Sequence, residues 1–155
     1  MNCNICAAGF YQPVARRIIC VPCAAGTFQS ASGSRGCLEC APGRYQRSSG
    51  AEVCPQCSPG TFQPSAGSSS CEPCPAGKHA ARAAALGCRA CAAGRAAPAG
   101  SPYCQRCYSG TFSATTGAAA CTQCAPGRFA NTMGATDCRA CEAGKTSKFG
   151  SHFCF

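Results

Sequence analysis

The chain has no tryptophan, and its Leu, Ile, Val and Phe together number only 16 of 155 residues. That is about 10%, below the ~20% under which a chain rarely builds an ordinary core. A single globular core of ordinary size is therefore excluded. No run approaches the ~18 apolar residues of a membrane-spanning helix. Acids are scarce, 5 Asp+Glu against 14 Lys+Arg, for a formal charge of +9. The two histidines, His79 and His152, lie far apart, and Glu39, Glu52, Glu72, Asp137 and Glu142 are scattered. No glycine-rich phosphate loop stands before a helix. These absences argue against an enzyme and imply no cofactor. A nucleic-acid partner is not expected either, because Arg16-Arg17 is the longest basic run. Met1-Asn2-Cys3 offers neither the basic nor the apolar region of a signal peptide.

What the chain has is cysteine: 19 residues, the density of a disulfide scaffold in an oxidising compartment. C-x-x-C pairs begin at Cys3, Cys20, Cys37, Cys54, Cys71, Cys88, Cys104, Cys121 and Cys138, and Cys154 stands alone. The steps are 17 residues, except for two of 16, from Cys88 to Cys104 and from Cys138 to Cys154. Glycine follows each pair by three positions, from Gly9 to Gly144. Two places further on stand Tyr11, Phe28, Tyr45, Phe62, Phe112 and Phe129. A second glycine comes four residues before the next cysteine in seven units, for example Gly33 and Gly50.

Such a period means stacked repeats, none of which can bury a core alone. The expected fold is small and disulfide-rich: an elongated rod of nine stacked ~17-residue repeats with short β-hairpins and little helix. Residues 3–154 form one tandem array with no separate second domain. The first glycine suits a turn at positive φ or a close approach to a bridge, and the second marks the return turn. The aromatic is expected to pack on a disulfide and on the next unit. The two 16-residue units have Ala96 and Thr146 in the aromatic slot, and Tyr103 and Phe153 before the closing cysteine read as relocated packing residues. The fifth unit has His79 in the slot and Ala84 for its second glycine, and its Arg82–Leu86 stretch reads as locally helical.

Two pairing schemes suit the repeat. One joins the second cysteine of each pair to the first of the next: Cys6–Cys20, Cys23–Cys37, Cys40–Cys54, Cys57–Cys71, Cys74–Cys88, Cys91–Cys104, Cys107–Cys121, Cys124–Cys138 and Cys141–Cys154. The other joins equivalent cysteines across one period, as Cys3–Cys20 with Cys6–Cys23. The first is preferred, because its leftover, Cys3, falls where an upstream repeat would supply the mate. By that reading the chain is a fragment of a longer protein. The rival is an array of four-cysteine zinc sites in a cytosolic protein, since C-x2-C-x13-C-x2-C is close to zinc-ribbon spacing. An unbroken ladder does not divide into four-ligand modules, and no metal site is assigned.

Cys23-Ala24-Ala25-Gly26-Thr27-Phe28, Cys57-Ser58-Pro59-Gly60-Thr61-Phe62 and Cys124-Ala125-Pro126-Gly127-Arg128-Phe129 resemble the ephrin type-A/B receptor-like cysteine-rich repeat, with its C-P-x-G-T-[FY]…G…C-x-x-C signature. Pro75 matches the proline of that signature. The resemblance runs from residue 3 to 154. It implies an extracellular or cell-surface chain with an EGF/TNF-receptor-like disulfide architecture, and it carries neither kinase activity nor ephrin binding. The expected role is a non-enzymatic structural, spacer or adhesion module whose partners are other domains of the same longer chain. The alternative is a binding module for an extracellular protein or acidic polysaccharide. Its warrant is the slot four after the second cysteine, held by Arg44, Lys78, Arg95, Arg128 and Lys145, which would align as a basic stripe on a regular array.

Overall fold

A computed structural model describes residues 5–14 and 19–155; Cys3 and the Arg16-Arg17 pair lie outside the described residues. By contacts the chain divides into two compact units, Met1–Glu72 with Arg82–Gly87, and Pro73–Ala81 with Cys88–Phe155. Each has the same internal construction.

The building block is a two-stranded antiparallel hairpin, and seven occur among the described residues. The first unit holds β1 (Phe10–Tyr11) paired with β2 (Val21–Pro22), β3 (Thr27–Phe28) with β4 (Leu38–Glu39), and β5 (Thr61–Phe62), whose partner is β6 (Glu72–Pro73). An isolated bridge, Arg44 to Gln56, takes the equivalent place in the intervening repeat. The second unit holds β7 (Lys78–His79) with β8 (Arg89–Ala90), β9 (Arg95–Ala96) with β10 (Gln105–Arg106), β11 (Thr111–Phe112) with β12 (Thr122–Gln123), and β13 (Arg128–Phe129) with β14 (Arg139–Ala140). Every strand is two residues long. The first strand follows the turn glycine directly, and the second is the x-x of the next C-x-x-C. In β3–β4 the partners are Thr27 with Glu39 and Phe28 with Leu38.

That placement decides what the cysteines do. Side chains alternate along extended chain, so residues three apart leave on opposite faces. The two sulfurs of one C-x-x-C therefore go to different bridges. Cys37 turns back to Cys23 and Cys40 goes forward to Cys54.

No helix occurs among the described residues. The Arg82–Leu86 stretch is a turn instead, with Ala84 in the left-handed region at φ 57°. The chain reverses there as it does at the second glycine of other repeats, and that geometry overrides the helix propensity of the alanines.

The core is made of sulfur. The largest fully buried side chains are Cys6, Cys23, Cys40, Cys57, Cys74, Cys91, Cys107 and Cys124, each the second cysteine of its pair. Around them run backbone ladders between repeats. The Gly26 amide donates to Gln46 O at 2.7 Å, and the Cys40 amide returns a bond to Gly26 O at 2.9 Å. The amide of the second glycine reaches back to a buried cysteine of the previous repeat, as in Gly50 to Cys23 O at 2.7 Å and Gly117 to Cys91 O at 2.7 Å.

Packing reaches further than the adjacent repeat. A β-carbon built on Gly9, Gly26 or Gly43 would run into the carbonyl of Gly50, Gly67 or Ala84, two repeats along. In the second unit Gly77, Gly94 and Gly110 meet Gly117, Gly134 and Gly150 in the same way. The first glycine thus takes the positive φ expected of it, and where it makes a close approach the nearest atoms belong to a backbone carbonyl.

Candidate functional site

Among the described residues nine disulfides join Cys6–Cys20, Cys23–Cys37, Cys40–Cys54, Cys57–Cys71, Cys74–Cys88, Cys91–Cys104, Cys107–Cys121, Cys124–Cys138 and Cys141–Cys154. Each closes a loop of 13 or 14 residues, and their Cα atoms lie 5.5–5.8 Å apart, inside the ordinary range.

The aromatic slot is half-buried in every repeat that fills it with a ring. Phe112 packs with Ala135 against Cys124, Ala130 and Cys138, so its ring covers the bridge of the next repeat. Tyr103 and Phe153 do not substitute for such a ring: they are 63% and 53% exposed. The chain bends at Tyr103 and Phe153, just before the closing cysteine, and Ile19 and Val53 at the same position are exposed as well.

The basic slot divides by side-chain type. Arg44, Arg95 and Arg128 donate from Nη1 to the carbonyls of Cys54, Cys104 and Cys138, at 2.8, 3.3 and 2.9 Å. Each guanidinium thus ties its hairpin to the strand carrying the next bridge. Lys78 and Lys145 are exposed, with Lys145 Nζ 3.6 Å from Glu142. In repeats with threonine in this slot, Thr27, Thr61 and Thr111 donate to the carbonyls of Ala24, Ser58 and Tyr108 and close the local turn.

A glutamine three places after the turn glycine is a clamp that the residue pattern alone did not single out. Gln29 Nε2 donates to Gly36 O at 2.9 Å while its Oε1 accepts from the Ala31 amide at 3.1 Å. Gln46 and Gln63 repeat this with Val53 and Ser70. The recurrence of Gln12, Gln29, Gln46 and Gln63 at one spacing was the available signal. Elsewhere on the first unit, Phe28, Leu38, Ala41 and Val53 line an apolar groove together with Glu39 and Arg44.

One hairpin differs from the rest. His79 stands where other repeats have a ring, with Nδ1 3.1 Å from Cys104 Sγ and 3.1 Å from Arg89 O.

The family model described as tyrosine-protein kinase ephrin type A/B receptor-like matches residues 17–53 and 43–91. The two segments together span residues 17–91, which are similar to the ephrin type A/B receptor-like repeats. The same bridge, turn and spacing continue to Cys154. The likeness to this family suggests an extracellular module. No curated protein matches the chain. No helix among the described residues is long and apolar enough to cross a membrane.

Proposed function

We propose that the ephrin-receptor-like repeats form a non-enzymatic extracellular spacer, a mechanically inextensible module carried by a larger surface or secreted protein. The observation that carries this reading is the bridge pattern. Cys6–Cys20 and Cys23–Cys37 leave only the step from Cys20 to Cys23 outside a closed loop. Force along the chain passes through bridges and these short steps. Each repeat then extends to roughly three residues at ~3.6 Å plus one bridge, about 17 Å, against about 60 Å for 17 free residues. A spacer that must hold distance under load gains from such a path.

Single-molecule pulling of the oxidised chain tests this. The expected record shows no release of hidden length until a reductant is added, and then steps of about 45 Å, one loop at a time. Steps of that size without reductant would overturn it.

A second reading, binding of an acidic polysaccharide, is favoured by the exposed Lys78 and Lys145 in the slot that arginine elsewhere spends on carbonyls. Retention on a heparin column that falls when both lysines become Gln supports it; unchanged retention dismisses it.

A further inference from the structure

We propose that His79, Cys91 and Cys104 form a metal site gated by a disulfide: closed while Cys91–Cys104 is intact, and open to a thiophilic cation such as Zn2+ once that bridge is reduced. The ring nitrogen of His79 and the two sulfurs lie within 4.8 Å of one another. Around a tetrahedral zinc, with Zn–S of about 2.3 Å and Zn–N of about 2.0 Å, ligands sit roughly 3.5–3.8 Å apart. The two sulfurs are bonded to each other while the bridge is closed and part to about 3.8 Å on reduction, with the His79 ring already beside them, 3.1 Å from Cys104 Sγ.

The setting is peculiar to this repeat. Phe28, Phe62, Phe112 and Phe129 hold the equivalent slot elsewhere, and a phenyl ring offers no donor. Cys91 is 1% exposed, whereas Cys104 and His79 are half-buried, so the cluster has a closed inner side and an open outer one. Two thiolates and one imidazole make three protein ligands, and the fourth position falls to water or to a ligand. The Arg89 carbonyl can only accept, so it fixes the proton on Nδ1 while the bridge is closed. Metal binding exchanges the Nδ1 proton for the ion, and the neutral ring then carries its proton on Nε2.

The chemistry balances with a thiol reductant such as glutathione. Two glutathione thiols reduce the Cys91–Cys104 bond, giving two protein thiols and oxidised glutathione. Zinc then displaces the two thiol protons to solvent. Because the ion binds only the opened form, it favours opening of this bridge by mass action.

The experiment is a redox titration of the full chain in reduced and oxidised glutathione, with and without Zn2+, reading all nine bridges by differential alkylation and peptide mapping. With zinc, Cys91–Cys104 is expected to open at a reductant ratio at least tenfold lower, while the other eight midpoints stay fixed. His79→Phe, which restores the residue used by other repeats, is expected to keep the oxidised bridge map and lose the zinc shift. The proposal is overturned if zinc moves no midpoint, if it moves a C-x-x-C neighbour such as Cys88 equally, or if the shift survives in His79→Phe.

Discussion

The carbonyl oxygen of Gly67 occupies the place where a β-carbon on Gly26 would have to go. These residues are two repeats apart, and their contact makes a turn glycine into a packing position. Gly26 and Gly144 share φ +82°, but nothing lies within 4 Å of a β-carbon on Gly144. Comparing alanine at the two sites separates backbone strain from overlap. Gly144→Ala is expected to cost about 1–2 kcal/mol for its left-handed conformation. Gly26→Ala adds roughly 1–3 kcal/mol of overpacking. Hydrogen exchange at the Cys40 amide, which bonds Gly26 O, reads the loss locally. Equal costs at the two sites would refute the two-repeat contact.

Ala84 is the one non-glycine at positive φ among the described residues. Ala84→Gly removes a strain of about 1 kcal/mol and gives back part of it as unfolded-chain entropy. A net gain of about 0.5 kcal/mol and a higher melting temperature are expected. A lower one would mean that the alanine methyl makes a compensating contact.

Arginine and lysine in the basic slot are predicted to differ. Arg128→Ala gives up the bond to Cys138 O and is expected to lose about 0.5–1 kcal/mol. Lys145→Ala gives up only an exposed ion pair with Glu142, so its melting temperature should stay within error of the parent. If the two variants melt alike, the guanidinium clamp contributes nothing.

Covalent closure dominates stability on a loop-entropy view, at about 3 kcal/mol per ~15-residue loop. Nine bridges lower the intact mass by 18 hydrogens relative to the reduced chain. Non-reducing peptide maps are expected to join Cys23 to Cys37 and Cys40 to Cys54. A Cys20–Cys37 peptide would contradict this architecture. Full reduction is expected to abolish exchange protection throughout, because the buried core is itself cysteine.

The repeat, the hairpins and the dominance of sulfur were legible in the sequence because spacing carries them. Cysteine and glycine recur at fixed intervals, and a two-residue strand fits between them. The approach of Gly67 to Gly26 was not legible, since a backbone carbonyl leaves no mark on residue identity beyond the demand for glycine. Tyr103 and Phe153 misled for a related reason: composition names a large ring, but only the bend before the closing cysteine leaves it exposed. The glutamine clamps at Gln29 and Gln63 were visible as a recurrence, yet a glutamine beside a turn reads equally well as solvated surface. His79 stood out as an exception to the aromatic slot, and the fold places it against a bridge.

The short reach of every bridge has a consequence for biosynthesis. A buried cysteine such as Cys23 waits only 14 residues for its mate at Cys37. At 5–20 residues per second that is about one to three seconds of translation. Pairing can therefore advance vectorially behind the emerging chain, each cysteine finding its mate close in sequence with no long-range search.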